Sequence, residues 1–82
     1  MEESKIFIIA EVIGGFLSTL EAYKNKEIAD KRLEYLAEQY HGTTKEKYFD
    51  TYPEDNSWYH SDYYDIYLDE VTVIEWNLFI LN

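Results

Sequence analysis

Eighty-two residues with a formal net charge of −10, 46% hydrophobic and 18% aromatic, allow one domain with a single modest core. That hydrophobic share lies well above the composition of disordered chains, so the chain is expected to fold despite its charge. The charge repels nucleic acid and anionic membranes, and the absence of cysteine removes disulfide frameworks and thiolate metal sites.

The first predicted element is a strand at Lys5 to Val12, rich in isoleucine and valine and ended by Gly14-Gly15, a pair suited to the positive φ of a tight turn. Phe16 to Tyr23 follows as the second strand of a hairpin. Asn25 is placed to cap a helix over 26–40, in which Ala29, Leu33, Leu36 and Tyr40 recur at helical spacing and Ile28 and Ala37 widen the stripe. His41-Gly42 supplies the stop. Residues 42–62 hold Pro53 and a concentration of turn-forming residues, which predicts a long ordered loop. A third strand is expected from Tyr63 to Trp76, with Ile66, Leu68, Ile74 and Trp76 on one parity and Tyr67, Val71 and Val73 on the other. The apolar stretch Asn77 to Leu81 is expected to be packed rather than solvated. The fold class is therefore α+β, a small and mainly antiparallel sheet of three or four strands with one helix on one face.

The charge is unevenly placed. Residues 1–47 hold nine acids and seven bases, whereas residues 48–82 hold eight acids and no lysine or arginine. Tyrosine and tryptophan are interleaved with those acids and offer large, rigid contact area with a polar handle. The expected contact residues for a protein partner are Asp50, Glu54, Asp55, Trp58, Tyr59, Asp62, Tyr63, Asp65, Tyr67, Asp69 and Glu70. Asp65 and Asp69 lie four apart on a strand, hence on one face at about 13 Å. The competing account is that the acids only solvate an aromatic-rich chain and the tyrosines pack over a thin core.

A single helix covers one face of a sheet, yet Ile6, Phe7, Ile8 and Ile9 make the first strand apolar on both. The loop, the C-terminal segment, a second copy of the chain or a partner must shield the other face. A homodimer is thus the alternative to a foreign partner.

Catalytic and metal chemistry find little purchase. Glu54-Asp55-Asn56-Ser57 lacks the central glycine and twelfth-position glutamate of a calcium loop. His60 and Asp62 are two apart and His41 is remote, so no zinc spacing results. His41 or His60 as base and Ser57, Ser61 or Thr51 as nucleophile form no familiar constellation. The expectation is no enzyme, no metal and no cofactor. No stretch approaches a membrane span, and Ile6 to Leu17, broken by Glu11 and two glycines, does not read as a secretion signal, so a cytoplasmic location is expected.

The order strand, glycine turn, strand, helix, loop, strand, with the helix NKEIADKRLEYLAEQY and the closing strand YYDIYLDEVTVIE, resembles small ββαβ proteins of bacteria and their phages. Some small acidic phage proteins of this size block host defence, anti-CRISPR inhibitors among them, by occupying a basic and often nucleic-acid-binding surface. The resemblance implies a similar role here: an acidic inhibitor of a basic protein, acting in the host cytoplasm.

Overall fold

The computed structural model of the chain describes residues 2–75. Its first strand, β1 (Glu2–Ile13), is the middle of a three-stranded sheet, with β2 (Phe16–Tyr23) and β3 (Tyr64–Glu75) antiparallel on either side in the order β2-β1-β3. The hairpin turn uses Gly14 at φ 62° and Gly15 at φ 85°, values that cost a glycine little and a bulkier residue much. A side chain at Gly14 would also meet the Tyr63 ring, 3.0 Å from where its Cβ would stand. The close approach is fixed by the Gly14 N–H, which donates to the Tyr63 carbonyl at 2.7 Å.

Helix α1 (Lys26–His41) follows β2 and returns across the sheet. Asn25 caps it by accepting from the Ile28 N–H, and Gly42 ends it in the left-handed region. Ala29 and Ala37 are fully buried, and Leu33 and Leu36 pack on the cluster of Ile9, Tyr64 and Ile66. Ile28 is exposed, because it sits about 100° round the helix from Ala29 and off the packed stripe. The other departure from expectation is larger. Within the predicted loop 42–62 lies a second helix, α2 (Lys45–Thr51), capped by Thr44, whose hydroxyl accepts from the Lys47 N–H at 3.2 Å. The turn formers Gly42, Thr43 and Pro53 that suggested a loop stand outside its two ends. The third strand begins at Tyr64, and the expected contributions of Trp76 and of Asn77 to Leu81 lie outside the described residues. No helix among the described residues is long and apolar enough to cross a membrane.

One acid is enclosed by this packing. Glu11 is 5% exposed, and the Tyr64 hydroxyl donates to its Oε2 at 2.7 Å while Thr19 Oγ1 donates to its Oε1 at 2.8 Å. Burial, and then the hydrogen bond to Glu11, push the Tyr64 hydroxyl pKa far up, so it remains a donor. Tyr40 stacks on the Tyr64 ring at 3.8 Å between centroids, tying the end of α1 to the same point. Tyr64→Phe would leave a buried carboxylate oxygen short of its donor, and denaturant melts should record a loss of about 1–3 kcal/mol.

At the β2 edge of the same face α1 is held by a two-pronged ion pair. Arg32 donates from Nε to Glu21 Oε1 at 2.8 Å and from Nη2 to Oε2 at 2.9 Å, and the Tyr23 hydroxyl adds a bond of 2.6 Å to Oε1. Arg32 and then Tyr23 lower the Glu21 pKa from 4.5 to about 2. A carboxylate depressed by folding stabilises the folded chain above its unfolded pKa and loses that contribution as pH falls through the folded one. Stability attributable to Glu21 should therefore be complete above pH 4.5 and vanish toward pH 2. In Glu21→Gln, acid titration should show a correspondingly shallower drop across that window.

Candidate interaction surface

Strand parity divides the sheet into two unlike faces. Phe7, Ile9, Glu11 and Ile13 of β1 share a face with Tyr64, Ile66 and Leu68 of β3, and α1 packs there. The reverse face carries Ile6, Ile8, Ala10 and Val12 from β1, opposite Val71, Asp69, Tyr67 and Asp65 of β3. From β2 it receives Leu17, Leu20 and Ala22, paired with Val12, Ala10 and Ile8. Among the described residues nothing is laid over this side: Leu17 is 59% and Leu20 63% exposed, and Tyr67, Val71 and Val73 are exposed as well. A bulge between Glu11 and Val12 leaves Ser18 as the extra residue and keeps Leu17 on the reverse face.

Of the reverse-face positions just named, the charged ones are Asp65 and Asp69. Four of the seven bases are engaged elsewhere. Arg32 is bound to Glu21, Lys26 to Asp30 at 2.9 Å, Lys45 to Glu34 at 3.7 Å and Lys5 to Glu70 at 3.6 Å, Lys5 standing on the helix-side parity of β1. At the margin of the reverse face His60 lies against Asp65, Nδ1 to Oδ1 at 3.1 Å, with its ring 4.8 Å from that of Tyr67. The product is an aliphatic field with a tyrosine and two carboxylates along one side.

The expected contact residues fall into three groups on the folded chain. Asp65, Tyr67 and Asp69 share the open face, and Asp62 and Tyr63 are exposed in the turn that leads to it. Glu70 points to the opposite parity, and Asp50 and Glu54 are exposed on and after α2, apart from that face in the chain's layering. Asp55, Trp58 and Tyr59 do structural work. Asp55 accepts from the Ser57 N–H at 2.6 Å and from its hydroxyl, and those bonds hold its carboxyl below the usual range.

Trp58 must be corrected: it is 1% exposed, so it is core and not contact surface. Its ring stacks on His41 at 4.3 Å, and the His41 Nε2–H donates to its carbonyl at 2.8 Å. Its Nε1–H donates to Glu34 Oε2 at 3.2 Å. Tyr59 is half-buried and donates to Glu34 while accepting from Lys45 at 2.8 Å. Burial, then the bond to Glu34, raise the Tyr59 pKa. Glu34 thus fastens the 42–62 segment to α1. The physical reason for the Trp58 correction is the small core, which a tryptophan supplied by the connecting segment completes.

The residues considered for catalysis are occupied in the same way. His41 is under Trp58, Ser57 shares its hydroxyl with Tyr48 at 2.9 Å, and Ser61 Oγ accepts from the Tyr64 N–H at 3.0 Å. Among the described residues no three histidine, aspartate or glutamate side chains gather as a metal ion requires. Comparison with known proteins yields no matching family model, no similar curated protein and no similar solved structure.

The aliphatic part of the surface escaped the list of expected contact residues. Its signal was the parity of β3, where Asp65, Tyr67, Asp69, Val71 and Val73 alternate together, but parity alone does not say which side the helix takes. Trp58→Ala should cost about 3–5 kcal/mol in a denaturant melt. By contrast Leu20→Lys, at an exposed position, should stay within about 0.5 kcal/mol of the parent chain.

Proposed function

We propose that the chain is a stoichiometric binding module that lays its open sheet face on a basic protein surface. The observation that carries this reading is the pairing of two properties on one face: exposed aliphatic side chains, and charges that are all negative. Contiguous exposed apolar surface marks contact sites, and a carboxylate margin selects a partner with lysine or arginine around an apolar centre. A second copy of the chain fits poorly, since Asp65 and Asp69 would face a surface of like charge and each copy brings −10. A partner that uses its basic surface to hold nucleic acid would be blocked while the module is bound, which makes inhibition by occlusion the expected consequence. The exposed acids Asp50, Glu54 and Asp62 add to the long-range attraction without needing to touch.

Association with the partner should slow markedly between low and physiological salt. The double reversal Asp65→Lys with Asp69→Lys should weaken affinity by about 2 kcal/mol or more, and Leu20→Lys should do so independently, while melting temperatures stay close to the parent's. A salt-indifferent rate, or binding untouched by the reversal, would refute the reading. Sedimentation showing a tight dimer that Leu20→Lys disperses would hand the face to a second copy instead.

A further inference from the structure

We propose that the outer edge of β3 is a strand-addition site, and that its occupant is an extended, basic segment of the protein partner. The inference rests on the binding-module reading above and adds how the partner's backbone is gripped. In the order β2-β1-β3, the edge of β3 away from β1 is a sheet margin. A short bridge closes its beginning: the Ile66 N–H donates outward to the Tyr59 carbonyl at 2.9 Å, and the Ser61 N–H to the Tyr64 carbonyl at 2.7 Å. Antiparallel strands alternate the direction of their polar groups, so Leu68, Glu70 and Thr72 turn N–H and C=O to the same outward side as Ile66. Tyr67, Asp69 and Val71 direct theirs to β1. Among the described residues nothing pairs with this edge beyond Ile66.

Natural sheets blunt such margins with proline, lysine or a bulge, and residues 67–73 contain neither of the first two, while the bulge lies between β1 and β2. What flanks the edge instead is negative charge on both faces. Asp65 and Asp69 lie on the open face, and Glu70 on the other, where the exposed Lys5 stands 3.6 Å from it. An added strand sends alternate side chains to the two faces, so lysine or arginine among them meets a carboxylate on either side, and apolar residues between them continue the field of Tyr67, Val71 and Val73. A second β3 in the same place would set Asp69 and Glu70 against like charges, which cross-strand pairs disfavour.

The probe is a short synthetic peptide alternating lysine and valine, titrated calorimetrically into the full chain at low salt. Its counterpart has the amides of one edge N-methylated, which keeps charge and side chains but removes donors. Thr72→Pro is the matching change in the protein, since it deletes an outward N–H and leaves the β1–β3 bonds in place. We expect the peptide to bind, and methylation or Thr72→Pro each to weaken it about tenfold or more. If Thr72→Pro fails to fold, the methylated peptide on the parent chain still decides. Equal binding of both peptides that Asp65→Lys with Asp69→Lys abolishes would overturn edge pairing while sparing the acidic-surface reading. Absence of peptide binding would overturn the edge proposal. So would a dimer of the parent chain that Thr72→Pro disperses, or peptide binding that appears only after residues 76–82 are deleted.

Discussion

Everything in this structure is placed by the middle strand, which must satisfy hydrogen bonds on two edges and bury side chains on at least one face. β1 pairs with β2 over Phe7 to Ile13 and with β3 over its whole length, so both neighbours take their register from it. Its period of two then sorts Phe7, Ile9, Glu11 and Ile13 to one side and Ile6, Ile8, Ala10 and Val12 to the other. A helix of sixteen residues is about 24 Å long and covers one of those sides only. N-terminal to Phe7 the β1–β3 pair runs on without β2 as a two-stranded ribbon, an arrangement that is marginal by itself in water. Among the described residues an open apolar face and an unpaired edge of β3 follow from this geometry, and the proposed binding role rests on both.

Electrostatics is arranged around the same division. On the helix side three carboxylates have specific partners: Glu11 receives two hydroxyl donors, Glu21 the fork of Arg32, and Glu34 the indole of Trp58 and the hydroxyl of Tyr59. A buried carboxylate is tolerable only when its oxygens are bonded in this way. Two of the seven bases, Arg32 and Lys45, are drawn to these carboxylates. The reverse face keeps carboxylates without lysine or arginine at its strand positions, and the proposed selectivity for a basic partner rests on that imbalance.

Local signals in the chain were enough for the elements. The glycine pair, the Asn25 cap and the spacing of Ala29, Leu33 and Leu36 each act over a few residues, so the hairpin and α1 were readable, and β2 has the expected bounds. α2 was missed because seven residues between turn formers give too short a periodicity to rise above the composition around them. Trp58 was misread for a related reason. Tryptophan is used both in contact surfaces and in cores, and its neighbours Asp55, Asn56 and Ser57 favoured the first, whereas His41 and Glu34 that enclose it lie 17 and 24 residues away.

By itself the sequence determined the α+β class, the charge segregation and the two-sided apolar character of β1, because these depend on composition and on periods of two and 3.6. Only the tertiary structure decided that α1 takes the face of Ile9 and Ile66. That choice buries Trp58, Tyr64 and Glu11 and leaves Asp65, Tyr67 and Asp69 outward with Leu17 and Leu20. The reason is physical: a strand's alternation defines two faces equally well, and which one is buried is settled by long-range packing against a helix whose own sequence carries no record of the register it meets.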